Sequence, residues 1–314
     1  MNAKSLIRKA LILATAYPLK RYAVNDNMFF LGDRKLLKGV KRILLYFPNN
    51  EYMHLGDHFF FEPLMSFLKY KGFEVKVITI KSMEFYVAGN GHVLGNFDDI
   101  ARADLVITRT EFFYYAWPLK KNTLFISTFS PSIKKRLCQD IVDKVAAFLS
   151  VDSSGFYVRP SPLANCPETI SLDSDSDYLV YNNYVDSAFY RLRPEHYRKL
   201  DRFAGKLAKE NGLKVIHTGS KKDRERDRKS YGFVDVDLRG IASPADMFYL
   251  ASLHNVKYNV SFDTYIMHIF FIYGKKSFVL FRGRFTRKAH DLIVNYVLPP
   301  FEPEGRVEDL IEYL

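Results

Sequence analysis

The apolar residues of the stretch Asp237–Phe281 are spaced in turn as a helix, a strand, a second helix and another strand. Met247, Leu250 and Ala251 recur at helical intervals within 246–253, and Val256 to Val260 is a short β-rich run. Ile266, Met267, Ile269 and Phe270 return to helical spacing behind Asp263-Thr264, and Gly274 stops that helix. Ser277 to Phe281 then reads as a buried strand. This order predicts a β-turn-α unit with free backbone N–H groups and the positive end of a helix dipole just after Ser261. A phosphate is suited to such a position.

The first half of the chain repeats the theme. Ile43 to Phe47 is a strand, 48–57 a loop, Asp57 to about Tyr70 a helix, Lys71-Gly72 a turn and Glu74 to Ile80 a strand. A β-loop-α-β order of this kind implies a parallel sheet with a right-handed crossover. Ligands of such sheets bind outside the carboxyl ends of the strands, here the loop 48–57. Further units follow: a helix over Asp98–Ala103, strands at Leu105–Thr108 and Leu124–Ser127, and an amphipathic stretch over 133–150 with Leu137, Ile141, Val145 and Phe148 inward. Phe112 to Tyr115 with Trp117 form an aromatic cluster suited to core packing. Beyond residue 177 come a strand at Tyr178–Tyr181, a helix opening near Pro194 and running through Arg198–Asn211, and a strand at Lys214–His217. The run KKDRERDRK reads as a solvated helix face, and 299–314 as ending in an acidic amphipathic helix.

Composition adds the domain plan. Three prolines and a Ser/Asp run mark 159–177 as an interdomain linker. A length of 314 residues suits two α/β domains, and 48% hydrophobic with 16% aromatic residues excludes a disordered or coiled-coil chain. A net charge of +11 calls for an anionic partner: nucleic acid, a membrane face or a charged substrate. No zinc-finger spacing, RNP aromatic motif or KH loop is present, so specific nucleic-acid binding has no support.

Cys138 and Cys166 lack metal or redox spacing and read as free thiols of a reducing compartment. No apolar run reaches the roughly 18 residues that span a bilayer. Ala14-Thr15-Ala16 has the form of a cleavage site but lies inside the apolar stretch, leaving too short a hydrophobic region for a signal peptide. The expectation is a cytoplasmic protein. Within the basic segment 1–39, Leu6, Ile7, Ala10, Leu11, Leu13 and Ala14 share one helical face with Lys4, Arg8 and Lys9 off it. Such a helix either rests on an anionic inner leaflet or packs on the domain. The Asp-x-Asp strings in DSDSD and at Asp235-Val236-Asp237 do not build a metal cage, so no metal or other cofactor is expected.

Four segments, in this order, resemble bacterial glycosyltransferases of the ADP-heptose type (glycosyltransferase family 9) over roughly residues 41–290. They are Gly56-Asp57 followed by Pro63-Leu64 and Phe67-Leu68; Ser187 to Glu195; Thr218-Gly219 with Asp237-Leu238-Arg239-Gly240; and Asp263 to His268. Arg191 stands where the family has lysine and Tyr265 where it has glycine. The resemblance implies an α/β protein of two Rossmann-like domains facing across a cleft, the GT-B arrangement. Residues 40–158 would form the acceptor domain, 178–300 the nucleotide-sugar domain, and 301–314 a terminal helix. It implies metal-independent, inverting sugar transfer with Asp57 as general base. The donor would be held by Ser187, Arg191, Thr218, Gly219, Asp263, Thr264, Tyr265, Met267 and His268. The implied acceptor is an anionic glycan or glycolipid such as lipopolysaccharide core, O-antigen or capsule.

Plainer readings stand beside these. Asp57 is placed to N-cap the helix that begins there, Asp263-Thr264 is an ordinary helix start, and a histidine at 268 on an apolar helix suits packing. Polysaccharide pyruvyl transferases share a Gly-Asp after strand one and a late histidine, with an enol-pyruvyl donor. A basic, membrane-associated binding protein of the same fold is the non-catalytic alternative.

Overall fold

The computed structural model describes residues 22–25, 27–49, 55–116, 119, 121–127, 137–156, 161–163, 170–184, 192–227, 231–280 and 307–309. The expected N-terminal interfacial helix, Trp117, Cys166, Ser187 and Arg191 lie outside them. The chain divides into two compact units, Met1–Ser161 and Pro162–Leu314.

The first unit is built on a six-stranded sheet. Its strands are β1 (Met28–Leu31), β2 (Arg42–Tyr46), β3 (Glu74–Ile78), β4 (Val93–Leu94), β5 (Leu105–Arg109) and β6 (Thr123–Ile126), in the spatial order β1-β6-β5-β2-β3-β4. All neighbours are parallel except β1, which pairs antiparallel with β6. From β2 the chain builds outward through β3 and β4, then returns to lay β5 against the other side of β2. Ile43 faces Leu105 and Leu45 faces Ile107 across that seam. Strand order reverses there, which opens a crevice at the carboxyl ends of β2 and β5.

Helix α1 (His58–Tyr70) follows β2 and buries Phe59, Phe61, Leu64, Phe67 and Leu68. Pro63 stands inside it and supplies no N–H to the carbonyl of Phe59. The buried Cys138 thiol donates to that freed carbonyl, with Sγ 3.8 Å away. The remaining helices of this unit are α2 (Glu84–Gly89), α3 (Phe97–Arg102), α4 (Phe113–Ala116) and α5 (Leu137–Leu149). Within the aromatic cluster, Phe112 and Phe113 are buried, and Phe113 packs on Phe125 of β6.

The second unit carries six parallel strands: β7 (Tyr178–Asn182), β8 (Lys214–His217), β9 (Val236–Asp237), β10 (Val256–Phe262), β11 (Lys276–Leu280) and β12 (Val307–Asp309). Their order is β12-β11-β10-β7-β8-β9, so strand order reverses between β7 and β10. Helix α6 (Pro194–Asn211) packs Leu200, Ala204 and Ala208 onto this sheet. Three shorter helices follow: α7 (Lys221–Arg226), α8 (Pro244–Ser252) and α9 (Tyr265–Ile272). Gly274, at φ +73°, takes the left-handed conformation that ends α9.

Three sequence expectations need correction. The basic segment 1–39 is not wholly outside the domain, because β1 lies within it and buries Met28 and Phe30. A four-residue strand is too short to show a period. The acidic amphipathic helix expected over 301–314 is interrupted by β12, whose Val307 and Asp309 pair with Ser277 and Val279. Three residues are too few to carry a helix or strand period, and the edge of β11 supplies backbone partners. Finally, β10 runs two residues beyond Val260 to Phe262, so the turn into α9 begins at Asp263 rather than just after Ser261. Among the described residues, no helix is long and apolar enough to cross a membrane.

Candidate active site

Asp57 in the first unit and Asp263 to Tyr265 in the second stand at the strand-order reversal of their own sheet. In the first unit, a 3-10 turn over Leu55–Asp57 leads straight into α1. Asp57 is therefore already in helical conformation (φ −67°, ψ −24°), and its side chain makes no capping bond to α1. The plain capping reading of this aspartate is not what the structure shows. Its carboxylate pairs instead with Arg109, the last residue of β5, with Nη1 and Oδ2 2.6 Å apart. Arg109 is buried and also grips Glu111, through Nη2 to Oε1 at 2.7 Å and Nε to Oε2 at 3.3 Å. Burial by itself disfavours the guanidinium charge. The carboxylates of Asp57 and Glu111 outweigh it and hold the arginine above even its ordinary high range.

One turn further along α1, Glu62 is buried against His92 at 3.3 Å and accepts from the Ser66 hydroxyl at 2.7 Å and the Ser161 backbone N–H at 3.0 Å. This pair braces α1 from behind Asp57.

In the second unit, β10 ends at Phe262 and α9 opens at Tyr265, with Thr264 in the capping position. The Thr264 side chain makes no capping bond, and its Oγ1 is buried with no partner. The two helices before it behave otherwise. Ser220 and Asp223 close the start of α7, and Ser243 and Asp246 close the start of α8, each pair bonding reciprocally to the other's backbone N–H. The first-turn N–H groups of α9, through Met267, have no such side-chain acceptor from Thr264.

The expected donor residues separate into two groups. Asp263, Thr264 and Tyr265 come together at this turn. The phenol of Tyr265 is pushed above its ordinary range by burial and then by the carboxylates of Asp223 and Asp246. It thus lies in the field of the α7 and α8 caps. Met267 offers only its backbone, since its side chain is buried against Val279, and His268 is buried on α9.

Thr218 and Gly219 turn inward. The Thr218 hydroxyl bonds the Tyr181 carbonyl at 3.3 Å, and its own carbonyl accepts from Asn182 Nδ2 at 3.0 Å, tying the ends of β7 and β8 together. Gly219 is a glycine because the Tyr184 ring passes over it: a Cβ there would stand 2.8 Å from two ring carbons. Gly219→Ala is expected to displace Tyr184 and cost about 1–3 kcal/mol. Urea unfolding of the two proteins would show it, and equal midpoints would refute this account.

A polar cluster that includes Asp237 and Arg239 surrounds that loop. Tyr184 stacks on His217 with the rings 3° from parallel, and Arg239 Nη1 donates to the Tyr184 hydroxyl at 2.9 Å. Arg239 also forks onto Asp237, through Nε to Oδ1 at 2.9 Å and Nη2 to Oδ2 at 2.8 Å. A second acidic residue, Asp235, accepts from the Val215 backbone N–H at 2.7 Å. Both carboxylates of the Asp235-Val236-Asp237 string are thus engaged within the protein. Burial, then Arg239, lowers the His217 pKa to about 3, so the ring is neutral at ordinary pH. Asp237 and Arg239 belong to the Asp237–Gly240 segment singled out in the sequence, whereas Tyr184 and His217 join them from other elements and left no local pattern. Among the described residues no group of three or more His, Cys, Asp or Glu side chains is placed to hold a metal ion.

No protein-family model matches the sequence, and neither does any curated protein sequence. Solved structures do share the fold. A glycosyl transferase family 9 protein from Veillonella parvula aligns with a TM-score of 0.57 at 15% identity, over 86% of this chain and 87% of that one. The E. coli heptosyltransferase WaaC with ADP aligns at 0.55 and 12% identity, over 85% and 93%. The E. coli ADP-heptose lps heptosyltransferase II aligns at 0.52 and 14% identity, over 85% and 89%. At such identities the likeness establishes the fold, an α/β chain of two Rossmann-like units of the GT-B class, and not the substrate.

Proposed function

We propose that this chain is a glycosyltransferase that moves a sugar from a nucleotide-sugar donor to a hydroxyl of a cell-surface glycan acceptor, with inversion and without a metal. The observation that carries this reading is the start of α9: an uncapped helix at the β7/β10 reversal, with the buried Thr264 hydroxyl unpartnered, beside two helices that cap themselves. Unpaired N–H groups and a helix dipole are what a diphosphate needs. The similar E. coli protein WaaC is known with ADP and with ADP-2-deoxy-2-fluoro heptose, which supports a nucleoside diphosphate as the donor's leaving group.

The chemistry follows from the residues. A sugar hydroxyl is a weak nucleophile until a base takes its proton, and Asp57 is the carboxylate at the β2/β5 reversal that can accept it. The acceptor oxygen then bonds the anomeric carbon as the bond from that carbon to the nucleoside diphosphate breaks. Charge gathering on the departing phosphates is met by the backbone amides of Asp263 to Met267, with Ser187 and Arg191 as further donors. The charge of +11 suits an anionic acceptor, lipopolysaccharide core, O-antigen or capsule, met at the inner face of the cytoplasmic membrane with the basic N-terminal segment as the contact.

The test is a thermal-shift panel of ADP-, GDP-, UDP- and CMP-sugars with phosphoenolpyruvate. One nucleotide sugar is expected to stabilise the protein, by about 2.7 kcal/mol at 100 times its Kd. Stabilisation by phosphoenolpyruvate alone would favour a pyruvyl transferase, and no response to any ligand would sink the donor site.

A further inference from the structure

Asp57 stands in the 3-10 turn that opens α1 and Arg109 at the end of β5, yet they meet at the β2/β5 reversal. The arginine's charge is already balanced by Glu111, two residues along the same strand end, which takes both Nε and Nη2. Asp57 is therefore the second carboxylate on one guanidinium. Its members differ in exposure: the Arg109 side chain is 3% exposed, Glu111 10% and Asp57 16%. Asp57 is thus the member of the three that reaches furthest toward solvent.

Resting on the transferase reading above, we propose that Arg109 is a positioning residue that fixes the orientation of the Asp57 carboxylate for proton transfer, with Glu111 locking the guanidinium in place. The two-pronged grip of Glu111 sets the plane of the guanidinium, and β5 sets its height. With plane and height set, Nη1 is held beside Asp57, 2.6 Å from Oδ2 as an ion pair. Asp57 enters from a 3-10 turn whose short hydrogen-bonded rings hold its backbone as well. Lysine cannot replace this, because an ammonium on a flexible stem has no plane to transmit. A misplacement of the reacting group by about 1 Å can cost on the order of 100-fold in rate.

The experiment uses the full chain with the nucleotide sugar that gives the largest thermal shift and delipidated lipopolysaccharide-core oligosaccharide as acceptor. The variants are Arg109→Lys, Arg109→Met, Glu111→Gln and Asp57→Asn. Arg109→Lys is expected to lower kcat at least tenfold, with the donor KM within twofold of wild type and the donor-induced thermal shift unchanged. Glu111→Gln should fall between that variant and wild type. A purely structural arginine predicts a lower unfolding temperature with unchanged kcat in any variant that folds, and that result overturns the inference. So does a loss confined to donor KM. An inactive Asp57→Asn beside a fully active Arg109→Lys would overturn the positioning role and leave the transferase reading intact. A fully active Asp57→Asn would remove both. An acceptor-independent check is the crystal structure of Arg109→Lys: an Asp57 carboxylate in its wild-type orientation refutes the proposal, and a rotated one supports it.

Discussion

Asp57→Asn is expected to reduce sugar transfer by about 100- to 10,000-fold, the usual contribution of a positioned general base. The substitution keeps the size of the side chain and leaves its amide oxygen facing Arg109, so the 3-10 turn and α1 should persist. What disappears is the ability to take the acceptor's proton. Nucleotide-sugar stabilisation should survive, because the proposed donor contacts belong to α9 in the other unit. Transfer assays and thermal shifts on the same preparation separate the two properties. Retained turnover would show that the proton goes elsewhere. Loss of donor-induced stabilisation would mean that the substitution acts on folding or binding rather than on chemistry.

The second large effect is a loss of stability in acid, centred on His217. Its ring is buried, stacked on Tyr184 and joined through Nε2 to Asn183 Oδ1 at 2.9 Å. The folded pKa of about 3 lies below the ordinary 6.5, so the unfolded chain binds the proton first. Stability is complete above the ordinary value and is lost progressively as pH falls from 6.5 toward 3. At pH 5 the loss is about 2 kcal/mol, taking 1.36 kcal/mol for each pH step below the unfolded value. Asp237 and Asp227 favour the charged ring, but burial and Arg239 prevail. Urea unfolding of wild type and His217→Gln at pH 7.5 and pH 5 tests this. The drop between the two pH values should be smaller in the variant by about that amount, and equal drops would contradict the assignment.

Much of the fold could be read from the order of apolar patterns, since strands and helices alternate and the central strands β5, β6 and β7 are buried on both faces. The start of α9 was legible within a residue or two, because Asp263-Thr264 ahead of an apolar helix is a local signal. Strand order was not legible. Nothing near β2 tells that β5, rather than β3, closes its other side. For the same reason Arg109 was missed: the residue that orients Asp57 lies on another strand, and only the sheet brings them together. Gly219 is a different case: the resemblance sets it among the donor residues, and what the sequence does not show is that the Tyr184 ring passes over it. At 307–309 the strand is not legible locally because its pairing partner, β11, is distant in sequence.

The reversal of strand order also has a kinetic side. As the chain emerges, β7, β8 and β9 can assemble in turn, but β7 keeps one edge open until β10 arrives, pairing Tyr181 with Val260 across roughly 80 residues. The first unit repeats this, since β2 waits for β5 on one flank after β3 has closed the other. Long-range parallel pairing of this kind is slow and leaves an apolar edge exposed during synthesis. The seam at which each candidate site forms is therefore the one its sheet completes late. Fragments of this protein ending before β10 are expected to carry an unfinished sheet and to aggregate, while the complete chain buries that edge.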